Sequence, residues 1–207
     1  TSQGGPIYLG GSAAATDTTP TTYAINNSST QCSGVTLGGS AVATDQVKIT
    51  SNGGDITIRG KSTYDAADCM GIIAWGGPNL NSGTGALVLD GYQSGGTGTN
   101  NTHAIELGRA ATSAMTTTYT SAKTSGTAIS ITGAVAGGTS NNARGIVAWV
   151  AGPVNITATG GGNIVMTGTT AASNTTQGIS LNYSSVLASG GNITIDAGTK
   201  AFDIGGY

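Results

Sequence analysis

One short pattern recurs along this chain, and it constrains the fold more than any other feature. The stretch SGGNITIDAGT at 189–199 has close relatives in NGGDITIRGKS (52–62) and GGGNIVMTGTT (160–170), and a looser one in SGTAISITGAV (125–135). Each places glycine or a small residue before an apolar-x-apolar pair and turns again on glycine. Such a pair reads as a short strand whose two apolar side chains share one face, with the middle side chain on the other.

Three kinds of pair alternate along the sequence. Closing pairs follow the glycines: Ile7/Leu9, Ile56/Ile58, Leu87/Leu89, Ile129/Ile131, Ile164/Met166 and Ile193/Ile195. Leading pairs read Gly-apolar-x-apolar or close to it: Val35/Leu37, Ile72/Ala74, Ile105/Leu107, Ile146/Ala148 and Ile179/Leu181. A weaker middle pair lies between a leading pair and the next closing pair: Val47/Ile49, Leu80, Tyr119, Val154/Ile156 and Val186/Leu187. The order leading, middle, closing is constant. Leading strands start at 35, 72, 105, 146 and 179, in steps of 37, 33, 41 and 33 residues.

A period of this size with three strands per unit predicts a solenoid. Leucine-rich repeats would show Leu-x-x-Leu-x-Leu, and propeller blades four antiparallel strands with hairpin turns; neither pattern is present. The sequence predicts an all-β, right-handed parallel β-helix of about five coils of three short strands, forming a single domain or rod segment over 1–207. Like strands stack about 4.8 Å apart, and their inward Ile, Val and Leu form columns along the axis. Glycine permits the tight corners.

Composition narrows the function classes. Gly supplies 36 of 207 residues, charged residues only 8%, and the net charge is −2. Nucleic-acid binding needs clustered Lys and Arg, and an electrostatic membrane patch needs the same. No run approaches 18 apolar residues, so no transmembrane helix is expected. The opening TSQGGPIYLGG lacks a basic region followed by an apolar one, so a leader is expected to be absent or already removed. Abundant Gly, Thr and Ser can mark disorder, but a disordered chain has no reason to keep regular apolar pairs. The same residues are poor helix formers.

With GGDITIRG, GGNIVMTG and SGGNITIDAG in view, the chain resembles the filamentous-haemagglutinin type of large secreted bacterial exoprotein. The resemblance implies a right-handed parallel β-helix, export to the cell surface and an adhesin-like role. It brings no catalytic residues, and no equivalent of that family's secretion domain is found.

Cys32 and Cys69 each lie three residues before a leading strand and are 37 residues, one coil, apart. Equivalent positions in adjacent coils fall within disulfide reach, so a Cys32–Cys69 bridge and an oxidising compartment are expected. Arg59 and Asp90 each follow a closing pair in successive coils and are expected to be neighbours. His103, the single histidine, reads as a satisfied coil-edge residue, with Glu106 pointing away from the core. Asp65 and Asp68 form the one close acidic pair and read as polar turn residues. No metal-ligand cluster, cofactor motif or catalytic constellation is assembled, so no enzyme, metal site or cofactor is expected. Asn-x-Ser/Thr sequons such as Asn155-Ile156-Thr157 matter only where the host has the transferase. Ice binding would need matched outward threonines, and Thr57, Val88, Ser130, Val165 and Thr194 break that array.

Alternation places Ile73, Trp75, Val147 and Trp149 outward, with Gly108 between the two indoles. This predicts either local cover over glycine-rich corners or an exposed strip for a protein contact or a glycan. The chain opens almost at once on a strand, Ile7, Tyr8 and Leu9, and runs to Phe202, Ile204 and Tyr207 without a visible cap at either end. Its expected partner is therefore itself, head to tail, or an adjoining segment of a longer rod. The resulting expectation is a secreted, self-assembling filament, sheath or adhesin-stalk component. A glycan-binding module and a polysaccharide-degrading enzyme are the alternatives.

Overall fold

The computed structural model describes residues 1–11, 22–26, 32–38, 46–64, 69–95, 102–109, 115–149, 152–175 and 177–205. Those residues form a right-handed parallel β-helix without helices, built from three parallel sheets. The leading sheet stacks β3 (Val35–Leu37), β6 (Ile72–Trp75), β9 (Thr102–Arg109), β12 (Ala143–Ala148), β15 (Gln177–Asn182) and β18 (Ala201–Gly205). The middle sheet stacks β4 (Lys48–Thr50), β7 (Asn79–Asn81), β10 (Thr117–Ser121), β13 (Val154–Ala158) and β16 (Ser184–Ala188). The closing sheet stacks β1 (Ile7–Leu9), β5 (Ile56–Ser62), β8 (Leu87–Gln93), β11 (Thr127–Val135), β14 (Asn163–Thr170) and β17 (Ile193–Asp196). A seventh strand, β2 (Ala24–Asn26), pairs with the end of β5 and had no counterpart in the sequence reading.

The predicted columns are present in register. Ile7, Ile56, Leu87, Ile129, Ile164 and Ile193 form one of them. Val35, Ile72, Ile105, Ile146, Ile179 and Phe202 form another. Ile49, Leu80, Tyr119, Ile156 and Val186 form the middle one. Apart from Ile193 and Phe202, their side chains make up one continuous apolar core. Leu187 is the exception: adjacent residues of a strand cannot both face inward, and it is 54% exposed. Tyr119, the one large polar member, donates its hydroxyl to the Leu107 carbonyl at 2.7 Å. Burial pushes its phenol pKa up.

Two corners are built differently. Between the middle and closing sheets runs a ladder of fully buried serines, Ser51, Ser82 and Ser121. The Ser82 hydroxyl donates to the Gly85 carbonyl at 2.8 Å, and Ser121 donates to the same carbonyl at 2.7 Å. Ser51 closes its own turn on the Gly54 carbonyl. The next residue is left-handed, Asn52 at φ 56° and Gly83 at φ 60°, a region that favours Gly and Asn.

Between the closing and leading sheets, backbone packs on backbone. Gly60, Gly91, Gly133 and Gly168 align with one another in the closing sheet. A Cβ at Gly60, Gly133 or Gly168 would run into the carbonyl of Gly71, Gly145 or Gly178. Because these glycines let the two sheets cross closely, β5, β8, β11 and β14 continue past their apolar pairs to seven to nine residues. Beyond the crossing lies a small second core of Ala104, Val135, Ala143 and Ala172.

The Cys32–Cys69 disulfide ties the first two leading strands, with a Cα–Cα distance of 4.7 Å. Arg59 and Asp90 are register partners in β5 and β8, and their charged atoms lie 3.5 Å apart.

Two stability outcomes follow. Closing a 37-residue loop is worth about 3–4 kcal/mol in the chain-entropy model, so a Cys32→Ala/Cys69→Ala chain should lose that much in urea unfolding. An unchanged midpoint would contradict it. Gly133→Ala should cost about 1–3 kcal/mol by forcing the sheets apart. Gly137→Ala, with open space around its Cβ, should stay within about 0.5 kcal/mol of the parent.

Candidate functional site

Two regions carry features that a plain core does not need. The first is the outer face of the leading sheet, where Ile73, Glu106, Val147, Ser180 and Asp203 lie side by side on β6, β9, β12, β15 and β18. Alternation set this row outward, as expected. Of the two readings left open, local cover and an exposed strip, the burial fits the first: Ile73 and Val147 are 4% and 1% exposed. The Trp75 indole packs under the Arg109 guanidinium, 5.3 Å from ring centroid to Cζ. Trp149 lies against the His103 ring at 5.9 Å. The indoles are therefore half-buried cover for this face, and the four residues do not form an open apolar strip.

Beneath that cover, Glu106 is fully buried and accepts two hydrogen bonds from Arg109, at 2.6 and 2.9 Å. A buried carboxylate needs such a partner, since removing one member of a buried pair typically costs about 3–5 kcal/mol. A second chain of polar contacts crosses three strands. Arg144 donates to Gln177 at 2.7 Å and to the Asn142 side chain. Gln177 in turn donates to Asp203 at 2.9 Å, and Ser180 donates to the same carboxylate oxygen at 3.3 Å.

His103 departs from its expected role as a satisfied coil-edge residue. It is fully buried, and neither ring nitrogen has a hydrogen-bond partner. The Trp149 indole N–H is also buried without one. Burial holds the imidazole well below its ordinary pKa, and Arg144 and Arg109 add to the effect. Nothing in this arrangement sets a nucleophile beside a base. Among the described residues no group of His, Cys, Asp or Glu is placed to hold a metal ion, and no helix is long and apolar enough to cross a membrane. Asp65 and Asp68 lie outside the described residues.

A smaller polar cluster sits on the closing sheet. Tyr23 donates to Asp90 at 2.8 Å, its ring is 6.3 Å from Tyr92, and the Lys61 ammonium lies 4.7 Å from the Tyr92 ring. Burial and the Asp90 carboxylate raise the Tyr23 pKa to about 12. This cluster fastens β2 and its neighbouring residues to β5 and β8.

The second region is the pair of terminal turns. At the first, Ile7, Leu9, Val35 and Ile49 are partly buried against the core. At the last, large apolar side chains stand open: Tyr183, Leu187, Ile193, Phe202 and Ile204 are exposed, the last at 71%. Ile179 and Leu181, the register partners of Phe202 and Ile204, are buried. The same column positions are thus covered in one turn and bare in the next. Sequence reasoning identified Ile7, Leu9, Phe202 and Ile204 as end residues. Tyr8 takes the middle position of β1, in register with Thr57, and Tyr207 lies outside the described residues. Tyr183 and Ile193 were not singled out. Tyr183 forms the one-residue corner between β15 and β16 in the left-handed region, at φ 52°.

Comparison of the chain with protein-family models, curated proteins and solved structures gives no match.

The buried histidine makes stability depend on pH. An imidazole held neutral in the fold but free to charge at about 6.5 when unfolded penalises folding below that value. Stability should be flat above about pH 6.5 and fall from there toward pH 5, before carboxylates titrate. Urea midpoints across this range check it, and His103→Phe should flatten the slope. An unchanged slope in that variant would assign the dependence to another group.

Proposed function

We propose that this chain is a structural building block of an extracellular bacterial fibre, sheath or adhesin stalk, adding to its own kind through the terminal turns. The carrying observation is where the exposed apolar side chains lie. Seven large hydrophobic residues are exposed among the described residues, and five of them, Tyr183, Leu187, Ile193, Phe202 and Ile204, belong to the last turn. Soluble proteins rarely leave such side chains grouped together unless the group is a contact.

Phe202 and Ile204 occupy core columns, so another turn would bury them in the way Ile179 and Leu181 are buried. Each such burial is worth about 1.5–3 kcal/mol. The strand edges of β16, β17 and β18 add unpaired backbone groups that invite pairing with another chain. A contact between one end and the other is heterologous and propagates as a filament. The disulfide fits an oxidising setting outside the cytoplasm.

The test is electron microscopy and light scattering of the purified chain. Filaments or long oligomers are expected. Phe202→Asp/Ile204→Asp should abolish them while leaving the far-ultraviolet β signal unchanged. A parent chain that stays monomeric at all accessible concentrations would overturn the proposal.

A further inference from the structure

Two side chains in contact on the leading sheet bury polar atoms that nothing among the described residues satisfies. His103 is fully buried with both ring nitrogens unpartnered, and the indole N–H of Trp149 is buried without an acceptor. The two rings lie 5.9 Å apart. The strands set their place. Ala104 belongs to the small second core, so His103 beside it turns the other way, onto the outer face. Trp149 follows the last residue of β12 and shares the outward parity of Val147, so its ring lies on the same face.

We propose that His103 is an acid-operated catch for Trp149: while the imidazole is neutral the indole stays seated against it, and protonation of the ring displaces the indole and opens the outer face of the leading sheet without unfolding the coils.

The surroundings of the ring decide the direction. Burial disfavours a positive imidazole most, and Arg144 and Arg109 add to it. Arg144 is the register partner of His103 on β12, and Arg109 lies further along β9 itself. The carboxylates on this face are engaged. Glu106 accepts both Arg109 bonds, and Asp203 on β18 accepts from Gln177 and Ser180. On the other side of β9, β6 carries no ionisable side chain. Of the closing strands packed against β9, β11 carries none, and β8 carries Asp90, bound to Tyr23 and Arg59, and Tyr92, under Lys61. Residues 96–101, 110–114 and 150–151, next to β9 and Trp149 in the chain, have no ionisable side chain. A proton on the buried ring therefore meets guanidinium groups and has no acceptor at either nitrogen.

The seat is also easy to leave. The indole N–H makes no hydrogen bond there and gains one in water. Neither His103 nor Trp149 belongs to the apolar columns that hold the coils together. The pairing of β9 with β6 and β12 can therefore persist while the two side chains move. An imidazole freed into water titrates at about 6.5, so each pH unit below that favours the open form about tenfold until the seated ring titrates as well. The catch is thus closed at neutral pH and opens in acid.

Tryptophan fluorescence and acrylamide quenching of the full chain from about pH 7.5 to pH 5, with far-ultraviolet circular dichroism in parallel, test the catch. The chain has two tryptophans, and Trp75→Phe leaves Trp149 as the sole reporter. In that variant the emission should shift to the red and quenching should rise toward pH 5 while the β signal holds. The ring signals of the single histidine, followed by nuclear magnetic resonance, should titrate over the same range. Adding His103→Gln or His103→Phe should keep the indole shielded throughout, and either serves if the other impairs folding. If Trp75→Phe impairs folding, the parent chain should show the response and Trp149→Phe should lose it. Shielding that stays constant to pH 5 in the parent, a response that survives the loss of His103, or one that runs in step with loss of the β signal would overturn the catch.

Discussion

In-register stacking of one turn on the next is the interaction everything else depends on. Each turn is only three short strands around a thin apolar centre, and most of its columns are buried by the turns on either side. Ile56 and Leu87 are fully buried because a turn lies on either side of them. Ile193 has a turn on one side only and is 44% exposed. Stability in such an array is a sum of nearest-neighbour contacts, so the ends are intrinsically the costly places.

That dependence explains why the corners are so strongly specified. A strand can stack in register only if each corner turns within a fixed number of residues. The buried serines do this between the middle and closing sheets by satisfying glycine carbonyls that the turn would leave bare. The facing glycines do it between the closing and leading sheets by removing Cβ atoms from a backbone crossing. The disulfide ties the first two leading strands of the described residues together. The outer face of the leading sheet adds a further layer: its Arg–Glu pair and its Arg–Gln–Asp chain link successive strands across the stacking direction.

Much of this was legible in the sequence because alternation and period are local signals that stacking repeats. The columns, the one-turn offset of Cys32 and Cys69 and the pairing of Arg59 with Asp90 all follow from counting residues. What alternation cannot report is whether an outward side is covered. Ile73 and Val147 are outward by parity and still buried, because aromatic and guanidinium groups fold over them. Glu106 is outward and buried for the same reason, and His103 lost the partners expected for it. The continuation of β5 and β8 past Gly60 and Gly91 was hidden because a glycine after a strand reads as its end. Here it marks a close crossing, and the strand goes on.

The proposal of end-to-end assembly turns on whether the exposed side chains of the last turn are a contact. Hydrogen exchange of the backbone amides, measured across a concentration series, tests this most directly. The account predicts that amides of β1, β3, β17 and β18 gain protection as concentration rises, while those of β8 and β11 stay protected throughout. Rapid exchange at both terminal turns at every concentration would contradict it, and so would full protection of both at the lowest.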